Sequence, residues 1–391
     1  MSRLQTRAEI DLTAASENFN LIRARLGKTK LCCVVKANAY GHGAVQLARL
    51  YERLGADFLA VSSIREAMQL RRGRIGLPIL ILGDTDPLCV DLLARENLSQ
   101  CVYSETYGKA LLAAAKMQGV RVKIHIKLDT GMGRIGFDCR GNTEPSSALD
   151  AAVMLCKDGT LIPEGIFTHL SSASDGTVGG TFTEEQIARF GTALAYFHAH
   201  GVGFSIRHIA NSAALTSYPQ SMFDMVRVGI LLYGYASADF SVPLPLRPVL
   251  KLRTSVVQVK TVQKGEFVGY GRTFLAERDT TVATVPIGYA DGLMRDNGKN
   301  GGVMEICGQI APIIGGVCMD QCMLDVSEIE GVKPGDTVTV YGISGQTSVE
   351  TVAARCATVP YEILCSIGER VPRIYLENGQ IVEIVDRLEC E

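Results

Sequence analysis

The sequence predicts an α/β protein in two parts, a (β/α)8 barrel of the TIM type over residues 1–240 and a mainly β domain over 241–391. Three observations carry that expectation. Eight short apolar runs alternate with helical patterns through the first part, and residues able to do chemistry stand at the carboxyl ends of those runs. Helical periodicity then fades beyond a proline-rich crossing, Ser241-Val-Pro-Leu-Pro-Leu-Arg-Pro248. A doubly wound open sheet is the competing architecture, and a count of eight favours closure.

The opening, Ala8-Glu-Ile-Asp-Leu-Thr13, reads as a short strand, with a helix following through Asn18-Phe-Asn-Leu-Ile22. This first strand is free to pair with the second domain instead of the barrel. Barrel strands are expected at 31–35, 58–62, 78–82, 100–103, 122–128, 161–168, 205–210 and 225–228. Between them, Ala44, Leu47, Ala48 and Tyr51 recur on one helical face, and Ile187, Phe190, Leu194 and Phe197 form the stripe of a helix over 183–200. Thr183-Glu-Glu-Gln186 has the spacing of a capping box at its start. In the second part, 282–285, 337–341 and 381–385 read as strands, with Lys333-Pro-Gly-Asp336 and Asn378-Gly379 as turns.

Hydrophobic residues make up 47% of the chain, which together with 40 glycines suits a large packed core with many tight turns. Basic and acidic residues nearly balance, 39 against 41, without a long run of either sign, which argues against nucleic acid or an anionic membrane surface as partner. The N-terminal residues lack the pattern of a signal peptide and no apolar run reaches membrane-spanning length, so the expectation is a cytoplasmic protein. Most of the twelve cysteines sit in apolar runs, as Cys32, Cys33, Cys156 and Cys365 do, and act there as small hydrophobes. No Cys-x-x-Cys pair is present, so no metal site is expected.

The chemistry gathers at strand ends. Leu31-Cys-Cys-Val-Val35 delivers Lys36, and an apolar floor beneath it disfavours the ammonium form, leaving an amine able to condense with an aldehyde. Taken alone, such a lysine is more often a surface group after a buried strand. Arg134 follows the fifth strand, Thr168-His169 ends the sixth, Asn211-Ser212 the seventh and Arg227-Val-Gly229-Ile230 the eighth. Loops after the last two strands of a barrel commonly seat a phosphate on backbone N–H groups and a hydroxyl, a task that Ser212, Gly229 and Ile230 suit.

Val35-Lys-Ala-Asn-Ala-Tyr-Gly-His-Gly43 resembles the pyridoxal-phosphate lysine motif of alanine racemases. Further matches follow in the same order through both parts: Val226-Arg-Val-Gly-Ile230, Val268-Gly-Tyr-Gly-Arg-Thr273, Pro286-Ile-Gly-Tyr-Ala-Asp-Gly292, Gly316-Val-Cys-Met-Asp-Gln321 and Val359-Pro-Tyr-Glu362. The resemblance implies a pyridoxal 5'-phosphate enzyme interconverting L- and D-alanine, with Lys36 holding the cofactor as a Schiff base. It also implies that Tyr40, His169, Asn211, Ser212, Arg227, Gly229, Ile230 and Tyr361 bind the cofactor, Arg227 facing the pyridine nitrogen. An arginine does not give up its proton to that nitrogen, which would keep the carbanion short-lived.

Racemisation needs a proton removed on one face and delivered on the other. The resemblance gives those tasks to Lys36 and to a Tyr270 reaching over from a second copy, supported by His169, and so implies a homodimer with shared active sites. It assigns substrate contacts to Arg134, to the backbone N–H of Met319 and to Tyr289 at the mouth. Lys127 matches a position that is carbamylated in many relatives and there fixes the arginine. Tyr361 is bulky where serine-preferring relatives carry a smaller polar residue, which favours alanine; a serine or broader-specificity racemase is the alternative. A decarboxylase of similar architecture would set an acid opposite the ring nitrogen, and cofactor-binding modules resemble the barrel alone. His125, His198, His200 and His208 read as structural, with His208 alone a candidate to support the site from behind.

Overall fold

The computed structural model describes residues 5–141, 147–174, 176–236 and 244–388; the expected junction at 240/241 lies outside them. Eight parallel strands form the barrel: Lys30–Val34, Phe58–Val61, Ile79–Ile81, Leu98–Val102, Val122–Asp129, Leu161–Phe167, Ile206–His208 and Met225–Val228. The last returns to the first with Val226 opposite Leu31 and Arg227 opposite Cys32. Between Ile206–His208 and Met225–Val228 the seam is held by two backbone bonds of 3.0 Å, Asp224 N to Arg207 O and Arg227 N to Ala210 O. An Arg207–Asp224 ion pair at 2.6 Å reinforces that seam. Phe58–Val61 is buried along its whole length and reads as an unbroken apolar run; Leu98–Val102 is equally buried but takes Ser99 and Gln100 inside with it.

Local signals start several of the barrel helices. Ser63 caps Ile64–Arg72 in a capping box with Glu66, and Ser104 accepts from Tyr107 N at the start of Glu105–Gln118. One helix departs from the sequence reading: it runs Gly176–Ala199, so Thr183-Glu-Glu-Gln186 lies inside it and caps nothing. Thr183 and Gln186 are both buried. The Gln186 amide instead accepts from Ser171 N at 3.0 Å and donates to His169 O at 3.2 Å and Thr130 Oγ1 at 3.3 Å. Bonds to two loops at the barrel mouth thus take the place of a local cap.

The second part is built on a ten-stranded sheet. The N-terminal strand Arg7–Asp11 lies within it, antiparallel to Leu250–Ser255 with Ile10 opposite Leu250, and parallel to Arg373–Glu377 with Ile10 opposite Tyr375. Asn378 and Gly379, at φ 51° and 75°, make the two-residue turn between Arg373–Glu377 and Gln380–Val385. The Lys333–Asp336 turn closes through Lys333 N to Asp336 Oδ2 at 2.8 Å. A small hairpin, Phe267–Val268 with Phe274–Leu275, carries Tyr270 at its tip. Two helices, Val349–Arg355 and Pro360–Cys365, bring residues of the second part to the barrel mouth. Both parts share one hydrophobic core. Among the described residues no helix is long and apolar enough to cross a membrane.

Candidate active site

A cavity of about 990 Å³ opens over the carboxyl ends of the barrel strands. Lys36, Tyr40, Lys127, Arg134, His169, Asn211, Ser212, Arg227, Gly229, Ile230 and Tyr361 all line it, so residues spread over more than 300 positions meet in one place.

Lys36 follows the first barrel strand, where burial lowers the pKa of its amine; Arg134 pushes the same way, against Glu66 and Cys365. The chain then makes an unusual turn. Ala37, Asn38, Ala39 and Tyr40 all adopt left-handed backbone, with φ of 51°, 53°, 53° and 52°. Each such residue costs roughly 1–2 kcal/mol relative to right-handed backbone, so the turn persists only if its surroundings hold it. Glu66 Oε1 accepts from Ala37 N at 2.7 Å and Asn38 Oδ1 from Ala44 N at 2.9 Å. His42 Nδ1 lies 2.9 Å from Ala39 O and 2.8 Å from Tyr40 O, which places its hydrogen on Nδ1. Burial holds His42 neutral, its pKa lowered to about 4. The result is that Lys36 and Tyr40, four residues apart, both line the cavity.

Arg227 enters from the last strand and is buried. Its Nη1 donates to His208 Nδ1 at 2.8 Å and His208 O at 2.9 Å; its Nη2 donates to Thr168 O at 2.8 Å and reaches His169 Nδ1 at 3.4 Å. These bonds engage both Nη groups; among the described residues the Nε–H has no such partner, and Arg227 lines the cavity. Burial lowers the guanidinium to about 10, still charged at neutral pH. Because arginine only donates, His208 accepts at Nδ1 and carries its hydrogen on Nε2, which lies 2.8 Å from His125 Nδ1. His125 in turn presents Nε2–H to Glu164 Oε2 at 3.1 Å. Burial raises the Glu164 carboxyl, but hydrogen bonds from His125 and Ser99 outweigh it and lower the pKa to about 2. A line of hydrogen bonds therefore runs from the cavity floor through the barrel interior to a carboxylate.

At one side, Ser212 Oγ accepts from Gly229 N at 3.0 Å. A Cβ on Gly229 would stand 2.4 Å from Tyr40 Oη, so glycine is what lets the tyrosine hydroxyl approach this backbone. The Tyr40 and Tyr361 rings lie 5.8 Å apart. Elsewhere in the cavity Lys127, 4% exposed, points its ammonium at the Phe167 ring from 4.8 Å, and burial lowers its pKa to about 8.

Three singled-out residues are not part of this cavity. Tyr270, Tyr289 and Met319 line a second one of about 940 Å³ on the second part, together with Arg295 and Lys299. All three are exposed, Tyr270 by 79%.

Sequence reasoning left Glu164 unmentioned and His125 among the structural histidines. No local signal marks the pair, which is 39 positions apart. Strand pairing sets His125 opposite Gly165, where any side chain would strike the imidazole: a Cβ there would lie 2.4 Å from His125 Nδ1.

Residues 10–237 match the family described as alanine racemase, N-terminal domain, and residues 249–375 match alanine racemase, C-terminal domain. Alanine racemases of Clostridium tetani and Desulfovibrio desulfuricans are 40% and 41% identical, over 96% and 95% of this chain and 97% and 98% of theirs. A solved alanine racemase of Clostridium difficile superposes with a TM-score of 0.93 at 35% identity, covering 99% of this chain and all of that one. One from Bacillus anthracis with bound L-Ala-P gives 0.91 at 33% identity, over 98% of each. With both family regions matched in order over nearly its whole length, the chain belongs to the alanine racemase family.

Proposed function

We propose that this protein is a pyridoxal-phosphate-dependent alanine racemase that works as a homodimer with two shared active sites. The observation that carries the reading is the grouping in one cavity of a lysine amine biased toward its neutral form, a hydroxyl and backbone N–H cradle, and an arginine with its Nε–H to spare. Pyridoxal phosphate fits those donors. Lys36 would hold its aldehyde carbon, Ser212, Gly229, Ile230, Tyr40 and Tyr361 its phosphate, and Arg227 its ring nitrogen, with His169 and Asn211 beside it. When bound, the cofactor supplies an electron sink that acidifies the substrate Cα–H.

The protein's part is to place and move protons. Lys36 Nζ takes or returns the α-proton on one face. The phenol of Tyr270 from the partner subunit does so on the other, because a single group does not easily reach both. The exposure of Tyr270, Tyr289 and Met319 supports this arrangement, since such side chains left bare on one chain suit a site completed by another. Arg227, held by carbonyls and neutral imidazoles, keeps its own proton and so leaves the ring nitrogen unprotonated. Arg134 offers a bidentate fork to the substrate carboxylate.

At Lys127 a pKa of about 8 leaves roughly a tenth of the amine neutral at pH 7. Attack of that amine on carbon dioxide, with loss of one proton, would give a carbamate carboxylate beside Arg134. An intact mass without the added carbon dioxide would remove this part of the reading. The activity is tested by incubating the protein with pyridoxal phosphate and L-alanine: optical rotation should decay to zero. Unchanged rotation, or release of carbon dioxide, would refute the racemase assignment.

A further inference from the structure

Arg373 lies outside the motifs above, yet it is 5% exposed and, among the described residues, its buried charge is bonded by carbonyls and by no carboxylate. Its Nε donates to Gly41 O at 3.2 Å. Its Nη1 donates to Gly368 O and Val371 O, both at 2.6 Å, and its Nη2 to Ile367 O at 2.8 Å. The first carbonyl belongs to the left-handed turn after Lys36. Ile367 and Gly368 follow, after Ser366, the helix Pro360–Cys365, which carries Tyr361. The turn and the helix meet backbone to backbone, for a Cβ on Gly41 would lie 2.2 Å from Leu364 O. Two residues along the same strand, Tyr375 Oη donates to His42 O at 3.1 Å.

We propose that Arg373 is a positioning residue that locks the Lys36–Gly43 turn to the Tyr361 helix, so that Tyr40 and Tyr361, one from each part of the chain, keep the spacing that binds a phosphate group. The inference rests on the pyridoxal-phosphate reading above and adds the residue that sets its phosphate end. The physical need is clear from the backbone. Four consecutive left-handed residues resist their conformation, and the turn is gripped from outside at Gly41 and His42 by one strand of the other part. A guanidinium suits the task because its planar fork reaches four carbonyls in different directions; an ammonium is a point charge and does not span them.

The test compares two ligands, pyridoxal phosphate and pyridoxal, titrated by absorbance into full-length protein freed of cofactor. Pyridoxal has the aldehyde and ring but no phosphate, so it ignores the Tyr40–Tyr361 spacing. Arg373→Met and Arg373→Lys should each weaken pyridoxal phosphate about tenfold or more, the scale of losing charge-assisted hydrogen bonds, and change pyridoxal by less than about twofold. Tyr375→Phe, which keeps the ring and removes the bonds to His42 O and Gln46 Oε1, should show a smaller loss with the same selectivity. If Arg373→Met does not fold, the lysine and phenylalanine variants read the same ratio. Equal losses for both ligands would mean general destabilisation and overturn the proposal. So would an Arg373→Lys protein that binds like the wild type, since charge alone would then suffice. A wild-type protein that binds neither ligand would instead sink the racemase reading.

Discussion

Burial keeps His42, His125 and His208 neutral: the pKa of His42 is lowered to about 4 and those of the other two are lowered from the usual 6.5. Below about pH 6.5 the unfolded chain binds protons that the folded chain refuses, so these groups stabilise the fold above that pH and the contribution is lost as pH falls toward the folded values. Each such histidine removes up to about 1.4 kcal/mol per pH unit in that window. The melting temperature should therefore fall clearly between pH 7 and pH 5, and a flat profile would mean the interior imidazoles are charged. At Tyr361, Tyr361→Asn should raise turnover of serine relative to alanine, measured as the ratio of kcat/KM values; an unchanged ratio would relieve Tyr361 of any part in substrate choice. Tyr270→Phe should slow racemisation by about 10²–10⁴-fold, the usual worth of one acid–base group. The variant should still exchange the α-hydrogen of one enantiomer with deuterated solvent, since Lys36 remains. Exchange of both enantiomers at equal rates would argue against a division of labour between the two bases. Residues such as Lys36 and Arg227 were legible because strand ends and short motifs announce them. The His208–His125–Glu164 line was not, because its members become neighbours only when parallel strands pair.

Among the elements, the turn after Lys36 and the loop at Gly229 show where a motif is more than a list of contacts. Gly229 lies at φ −120° and ψ −89°, outside the left-handed region, and space is its clearest requirement: Gly229→Ala would push a methyl against Tyr40 Oη. That variant should bind pyridoxal phosphate more weakly while its ligand-free melting temperature changes little, and both are read from one set of thermal scans with and without cofactor. The left-handed run at 37–40 was invisible in the sequence, since Ala, Asn and Tyr carry no local preference for four such residues in a row. The helix at Gly176–Ala199 teaches the converse. A sound local pattern at Thr183–Gln186 placed its start too late, because Gln186 finds better partners in the loops at 130 and 169–171. Alternation of strand and helix fixes element type well; where an element begins is settled by what its ends touch.

At the scale of the molecule, one chain holds Lys36 in one cavity and Tyr270 in another, and the proposal of shared sites makes a sharp arithmetic prediction. Lys36→Ala and Tyr270→Phe proteins should each be nearly inactive, but on the proposed arrangement a mixed dimer would have one site with both groups intact. Random reassortment of equal amounts should therefore restore about one quarter of wild-type activity, half the dimers being mixed and each having one good site of two. No recovery after unfolding and refolding the two together would place both bases on the same chain. The barrel was legible from its count of eight and from the chemistry at its strand ends, whereas the second part, with short strands and many turns, yielded only three of its later strands and, of its order, only that the first strand could join it. One feature of that order bears on how the protein is made. The strand Arg7–Asp11 fits between Leu250–Ser255 and Arg373–Glu377. Synthesised long before either neighbour, it keeps two bare edges exposed to other nascent chains until Arg373–Glu377 has followed.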